Sequence, residues 1–178
     1  LSEPMGRADV NIASSIKGKF PNLTTTKEGG IIIHKAKYEG KDITITKTAE
    51  STFKVTIDGK ETPITGDIEA VTTKIETSID EIKELETIEI EHLTYTSYSF
   101  DADKQLTHSL TYNEKPITIT KSGNTMIVTY PGLENRSLTA IPENQKAELE
   151  KTLKTAEVMA EEIKKAKTTG EKNKIKYL

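Results

Sequence analysis

Histidine is the one side chain whose ordinary titration falls near neutral pH, and this chain has three: His34, His92 and His108. His34 and His108 occupy matching places, four residues before Tyr38 and Tyr112. Such a symmetric pair offers metal ligands or proton-transfer groups. A working site needs more, and no Asp, Glu or third His recurs beside both to complete it. The expected role is therefore structural: strand histidines on an apolar face, each held by a hydrogen bond. His92 has no counterpart and reads as a bulge or edge residue.

Other chemistry finds less support. Asp101-Ala102-Asp103 begins like a calcium loop, but Leu106 stands where the loop needs glycine and Tyr112 where it needs a bidentate glutamate. A hairpin turn is the expected structure there. Glu84, Glu86, Glu89 and Glu91 straddle a helix end and a strand start, so their carboxylates do not converge. There is no nucleophile elbow and no glycine-rich phosphate loop. The absence of cysteine removes disulfides, thiolate metal sites and a thiol nucleophile together. The chain is expected to be non-catalytic and to need no cofactor.

The elements that position these residues come in two copies. Tyr38 to Gly59 and Tyr112 to Gly132 both contain Ile-Thr-Ile-Thr-Lys, at Ile43–Lys47 and Ile117–Lys121, an offset of 74 residues that signals a duplicated structural unit. In both, isoleucine and threonine alternate as in a half-buried strand. In the first unit Leu23–Thr26, Ile31–Tyr38, Ile43–Lys47 and Phe53–Ile57 form strands, with glycine turns at Gly29-Gly30 and Glu39-Gly40 and Asp58-Gly59 closing the last. From Asp67 the period changes. Ile68, Val71, Ile75, Ile79, Ile82 and Leu85 step by three or four, one apolar helical stripe. The second unit opens with a long strand, Thr87–Phe100, whose apolar phase switches, and a bulge near His92 would reconcile the two phases. Strands through Leu106–Tyr112, Ile117–Ile119 and Met126–Tyr130 follow. A last helix starts near Pro142 and presents Leu149, Leu153, Ala156, Ala160 and Ile163, with Gly170 as its C-cap. Before all this, Ala8–Lys19 fits a short helix after an Asp9 cap. Val10, Ile12 and Ile16 also alternate as a strand, and the helix is the preferred reading.

The fold class is α+β: a tandem repeat of a four-stranded antiparallel meander followed by a helix, with the helices on one side of the sheets. The segments are a leader at 1–21, a first unit at 22–86, a second at 87–170 and a lysine-rich, frayed tail at 171–178. The two units are expected to form one compact domain.

Charge and composition narrow the partners. A net charge of −3 gives no global attraction to nucleic acid or anionic membrane. No apolar run approaches the roughly 18–20 residues that span a bilayer. Missing cysteine and the Leu1 start are compatible with a processed, exported protein.

Two functional expectations remain. The first is a binding or scaffold module that meets a protein partner on its sheet or helix surface. Its flat, threonine-rich strands suit docking or strand addition. The second is single-stranded nucleic-acid binding on an aromatic sheet, through Tyr95, Tyr98 and Phe100, flanked by Lys41, Lys47, Lys115 and Lys121. In topology the doubled strands-then-helix unit resembles the Whirly and PUR-repeat families of single-strand binders, and that resemblance implies the second reading.

Overall fold

In the computed structural model, residues 4–49, 52–122, 125–133, 138–140 and 145–176 are described. Among these residues the fold is α+β, with two antiparallel sheets and three helices. It divides into two compact units between Glu84 and Leu85.

The first unit begins with α1 (Arg7–Lys19) and the strands β1 (Thr24–Glu28), β2 (Ile31–Tyr38), β3 (Lys41–Ala49), β4 (Thr52–Ile57) and β5 (Lys60–Thr62). The strands pair only with their sequence neighbours, in the order β1-β2-β3-β4-β5. Thus four expected strands become five. Lys60-Glu61-Thr62 carries no apolar alternation to announce it, and the Asp58-Gly59 turn folds it back onto β4. The helix α2 (Ile68–Glu86) follows.

Alternation settles the faces. Ile32, Ile43, Ile45, Phe53, Val55 and Ile57 are buried on one side, beneath Ile16 and Phe20 from α1 and Val71, Ile75, Ile79 and Ile82 from α2. Isoleucine is a weak helix former, so burial of this stripe holds α2 where propensity does not. Polar contacts reinforce the packing. The Tyr38 hydroxyl donates to Asp80 on α2 at 2.8 Å, and its ring meets Phe20 edge-on at 5.5 Å. Burial, then the Asp80 carboxylate, pushes the Tyr38 hydroxyl up to about 12.

The helix reading of 8–19 holds, but Asp9 is not its cap. Gly6 occupies that position without a side-chain hydrogen bond. Asp9 instead turns inward from the first turn to Lys47 on β3, at 3.0 Å. That hydrogen bond holds its carboxyl below the usual range.

The second unit contains β6 (Leu93–Phe100), β7 (Leu106–Tyr112), β8 (Lys115–Ser122) and β9 (Thr125–Thr129). The three-residue β10 (Leu138–Ala140) pairs at the far edge of β9, and α3 (Gln145–Lys176) follows. The expected long strand from Thr87 is shorter. Residues 87–90 are not strand, and Glu91-His92 form a turn in which His92 takes φ +69° and the Leu93 amide bonds the Ile90 carbonyl at 3.1 Å. The bulge lies elsewhere, where the register slips between Tyr95 and Ser97. The turn at His92 accounts for the phase switch before Leu93, and the extra residue at Thr96 makes a second one between Tyr95 and Tyr98.

Leu110, Tyr112, Ile117, Ile119, Met126, Val128 and Tyr130 form the covered face, packed with Leu149, Leu153 and Ala156 of α3. Ile163 leaves the expected stripe and is 37% exposed. At about 1.5 Å per residue a 32-residue helix is about 48 Å long. A sheet strand of eight residues spans only about 27 Å. Nor does Gly170 end α3, which continues to Lys176 through the tail expected to fray. Glycine inside a helix costs about 1 kcal/mol without stopping it. The expected helix start at Pro142 lies outside the described residues.

Candidate binding face of the second sheet

The paired histidines are buried on the covered faces, His34 at 1% exposure and His108 at 0%. Each ring nitrogen Nδ1 meets a hydroxyl from the neighbouring edge strand. For His34 the partner is Thr25 Oγ1 at 2.9 Å, and for His108 it is Tyr95 Oη at 2.7 Å. Thr25 therefore faces inward. Nε2 of His34 is buried without a hydrogen-bond partner. Desolvation lowers the affinity of this imidazole for a proton, and Lys47 adds to that while Asp9 opposes it. Among the described residues no cluster of three His, Asp or Glu side chains is placed to hold a metal ion.

The aromatic and lysine candidates do not gather on an open surface. Tyr98 is buried at 7%, and Tyr95 is half-buried and bonded to His108. Phe100 is half-exposed. All three share the helix-covered face, since their pairing partners Leu110, His108 and Leu106 point inward. Lys47 is engaged by Asp9, and Lys41 lies 3.8 Å from Asp58. Lys115 is exposed at one strand end and Lys121 half-exposed at the other. The flanking lysines therefore stand in four different environments.

What the sequence reading passed over is the opposite face. In antiparallel pairs, opposed residues share a side of the sheet. Register therefore gives the open face of the second sheet row by row. One row is Ser99, Thr107, Thr120 and Ile127, the next is Ser97, Ser109, Thr118 and Thr129, and a third is Thr94, Thr111 and Pro116. Thr96 joins them from the bulge, with its Oγ1 3.5 Å from that of Thr111. Apart from Pro116 and Ile127, every residue in these rows is a serine or threonine. None is charged, in a chain where 30% of residues are.

The equivalent face of the first sheet is different. It carries Lys35, Lys37, Asp42, Lys54 and Glu61, with ion pairs Lys37–Asp42 at 3.7 Å and Lys54–Glu61 at 3.4 Å. The signal for the uncharged face was present in the sequence. The odd positions of Thr107–Thr111 and the even positions of Thr118–Ser122 are all hydroxyl residues. Only the register aligns them into one surface.

A tight turn borders this face. Asn113 and Glu114, between β7 and β8, have φ +47° and +67°. Two-residue hairpins of this kind favour glycine at the second position. Glycine fills it in the corresponding turn Glu39-Gly40, where φ is +79°. Asn113 is secured by its side-chain amide, which donates to Glu157 on α3 at 2.6 Å, but Glu114 carries the left-handed strain alone. Glu114→Gly is expected to stabilise the fold by about 1 kcal/mol. Urea denaturation of the variant and the parent checks this, and an unchanged or lower midpoint would refute it.

Searches against protein-family models, curated proteins and solved structures found no match. No helix among the described residues is long and apolar enough to cross a membrane.

Proposed function

We propose that this chain is a non-catalytic binding module that docks a protein partner on the open face of its second sheet. One observation carries the reading: among the described residues that face has no charge, although the corresponding face of the first sheet has several. Covering a charge costs far more than covering a hydroxyl that finds a new hydrogen bond. Interface cores are accordingly depleted in charged residues. Threonine adds a methyl group for contact and an adaptable donor and acceptor. Pairs such as Thr107 and Thr120, 3.4 Å apart, already show hydroxyls arranged to bond across strands.

The same reading takes the two units as copies of one duplicated meander-plus-helix unit. Supporting it are the shared Ile-Thr-Ile-Thr-Lys run and the matching registers His34↔Ile45 and His108↔Ile119, with Tyr38↔Lys41 and Tyr112↔Lys115. In this view the first copy kept a solvated outer face and the second gave its own to recognition.

The test places charge on the face without touching the core. Ser109→Lys and Thr118→Glu variants are expected to keep the parent's denaturation midpoint and to lose the stoichiometric partner that the parent retains in affinity capture. Equal capture by parent and variants would remove this face from the binding role. The other expectation, single-stranded nucleic-acid binding, predicts salt-dependent binding of a labelled oligonucleotide. With Tyr95 and Tyr98 turned to the covered side, no binding is the expected result.

A further inference from the structure

The second sheet ends in β6, and among the described residues β6 pairs only with β7. Natural sheets protect such edges with short strands, lysine, proline, charge or a bulge. The first sheet follows that rule: β1 contains Lys27 and Glu28, and β5 is three residues long with Lys60 and Glu61. At the other end of the second sheet β10 has only three residues. β6 is eight residues long and contains no charge and no proline, and its bulge between Tyr95 and Ser97 is the one such device it has.

Its sequence has a further property. Leu93-Thr94-Tyr95-Thr96 read forwards, and Phe100-Ser99-Tyr98-Ser97 read backwards, give the same order: apolar, hydroxyl, tyrosine, hydroxyl. The bulge gives the facing the same symmetry. Leu93, Tyr95, Tyr98 and Phe100 oppose inward residues of β7, whereas Thr94, Ser97 and Ser99 oppose outward ones. Strict alternation would send the first and last of eight residues to opposite faces. The extra residue between Tyr95 and Ser97 cancels that, so the strand is mirror-symmetric in both chemistry and orientation.

Mirror symmetry is what two antiparallel copies of one strand require around a two-fold axis, because directly opposed residues share a face. We infer that β6 pairs with β6 of a second copy of this chain, extending the sheet across a two-fold axis between Thr96 and Ser97. Leu93 then faces Phe100 of the second copy, Tyr95 faces its Tyr98, Thr94 its Ser99 and Thr96 its Ser97. The half-exposed Leu93, Tyr95 and Phe100 are covered, and the open hydroxyl faces of two copies join into one surface. The inference deepens the docking reading and rests on it, since the joined face is the one proposed to bind. One strand pair buries little area, so the association is expected to be reversible, with a dissociation constant of roughly 10–100 μM.

Sedimentation velocity of the full chain across that concentration range tests the pairing. The parent should shift from monomer to dimer. In Thr96→Lys/Ser97→Lys, like charges meet twice across the axis, and dimerisation should weaken by about ten-fold or more. Thr96→Lys/Ser97→Glu changes the same two positions but sets opposite charges face to face, and should dimerise as well as the parent. Thr94→Glu/Ser99→Lys repeats the matched design one row out and should behave alike. These sites are on an edge strand with outward side chains, and circular dichroism verifies folding. A parent that stays monomeric to roughly 500 μM, well above the expected constant, overturns the inference while leaving affinity capture to judge the docking reading. A dimer indifferent to the Lys/Lys change overturns it as well.

Discussion

Replacing Ile119 with alanine is expected to lower the unfolding free energy by about 2–5 kcal/mol, the range for truncating a fully buried aliphatic side chain. Thr118→Ala, one residue away, is expected to change it by less than about 1 kcal/mol. Ile119 is 0% exposed in a cluster with Val128, Met126 and Leu153. It lies opposite His108 on one side and Val128 on the other. Alanine removes most of its contacts with neighbours that are tied into strands and cannot collapse onto the space. Thr118 points the other way, toward the open row with Ser109 and Thr129. Alanine there forfeits only β-propensity and one adaptable hydroxyl. Urea titrations of both variants test the difference. Similar losses from the two would mean that the assignment of covered and open faces is wrong.

The second large effect is a pH dependence seated at His34. In the folded chain desolvation lowers the proton affinity of this buried imidazole below its ordinary value of 6.5. The sign follows from linkage. Above about pH 6.5 the ring is neutral in both states and contributes no pH dependence. Below that pH the unfolded chain binds a proton that the folded chain refuses. Stability is therefore lost as pH falls, by up to about 1.4 kcal/mol per pH unit until the folded ring also protonates. The groups that set this are Lys47, which resists protonation, and Asp9, which favours it, with Thr25 held at Nδ1. Denaturation at pH 7.5, 6.5 and 5.5 should show the parent losing stability below 6.5 more steeply than His34→Gln, which cannot titrate. Parallel curves would show that His34 is protonated as readily folded as unfolded.

Both predictions rest on faces, and faces were the most legible feature of the sequence. The Ile-Thr alternation at Ile43–Lys47 and Ile117–Lys121 has the two-residue period of a sheet with one side covered. The structure buries those isoleucines and turns the threonines outward. The stripe from Ile68 to Leu85 likewise has the period of a helix and forms one. The reading failed where a residue's fate depends on distant chain. Asp9 has the type and position of a cap, yet Lys47, 38 residues away, takes its carboxylate. Gly170 has the type of a helix terminator, yet α3 passes through it.

The sequence by itself determined the two antiparallel units, their covered faces and the burial of His34 and His108, because hydrophobic period and turn chemistry act over short stretches of chain. Tertiary structure alone decided the candidate site. Tyr95, Tyr98 and Phe100, expected on a binding surface, all lie on the covered side, because the bulge at Thr96 brings Tyr95 into the same facing as the other two. The scattered serines and threonines of β6, β7, β8 and β9 become one uncharged surface only because register sets Ser97 beside Ser109, Thr118 and Thr129. Register is a property of pairing between strands, and no local stretch of the chain records it.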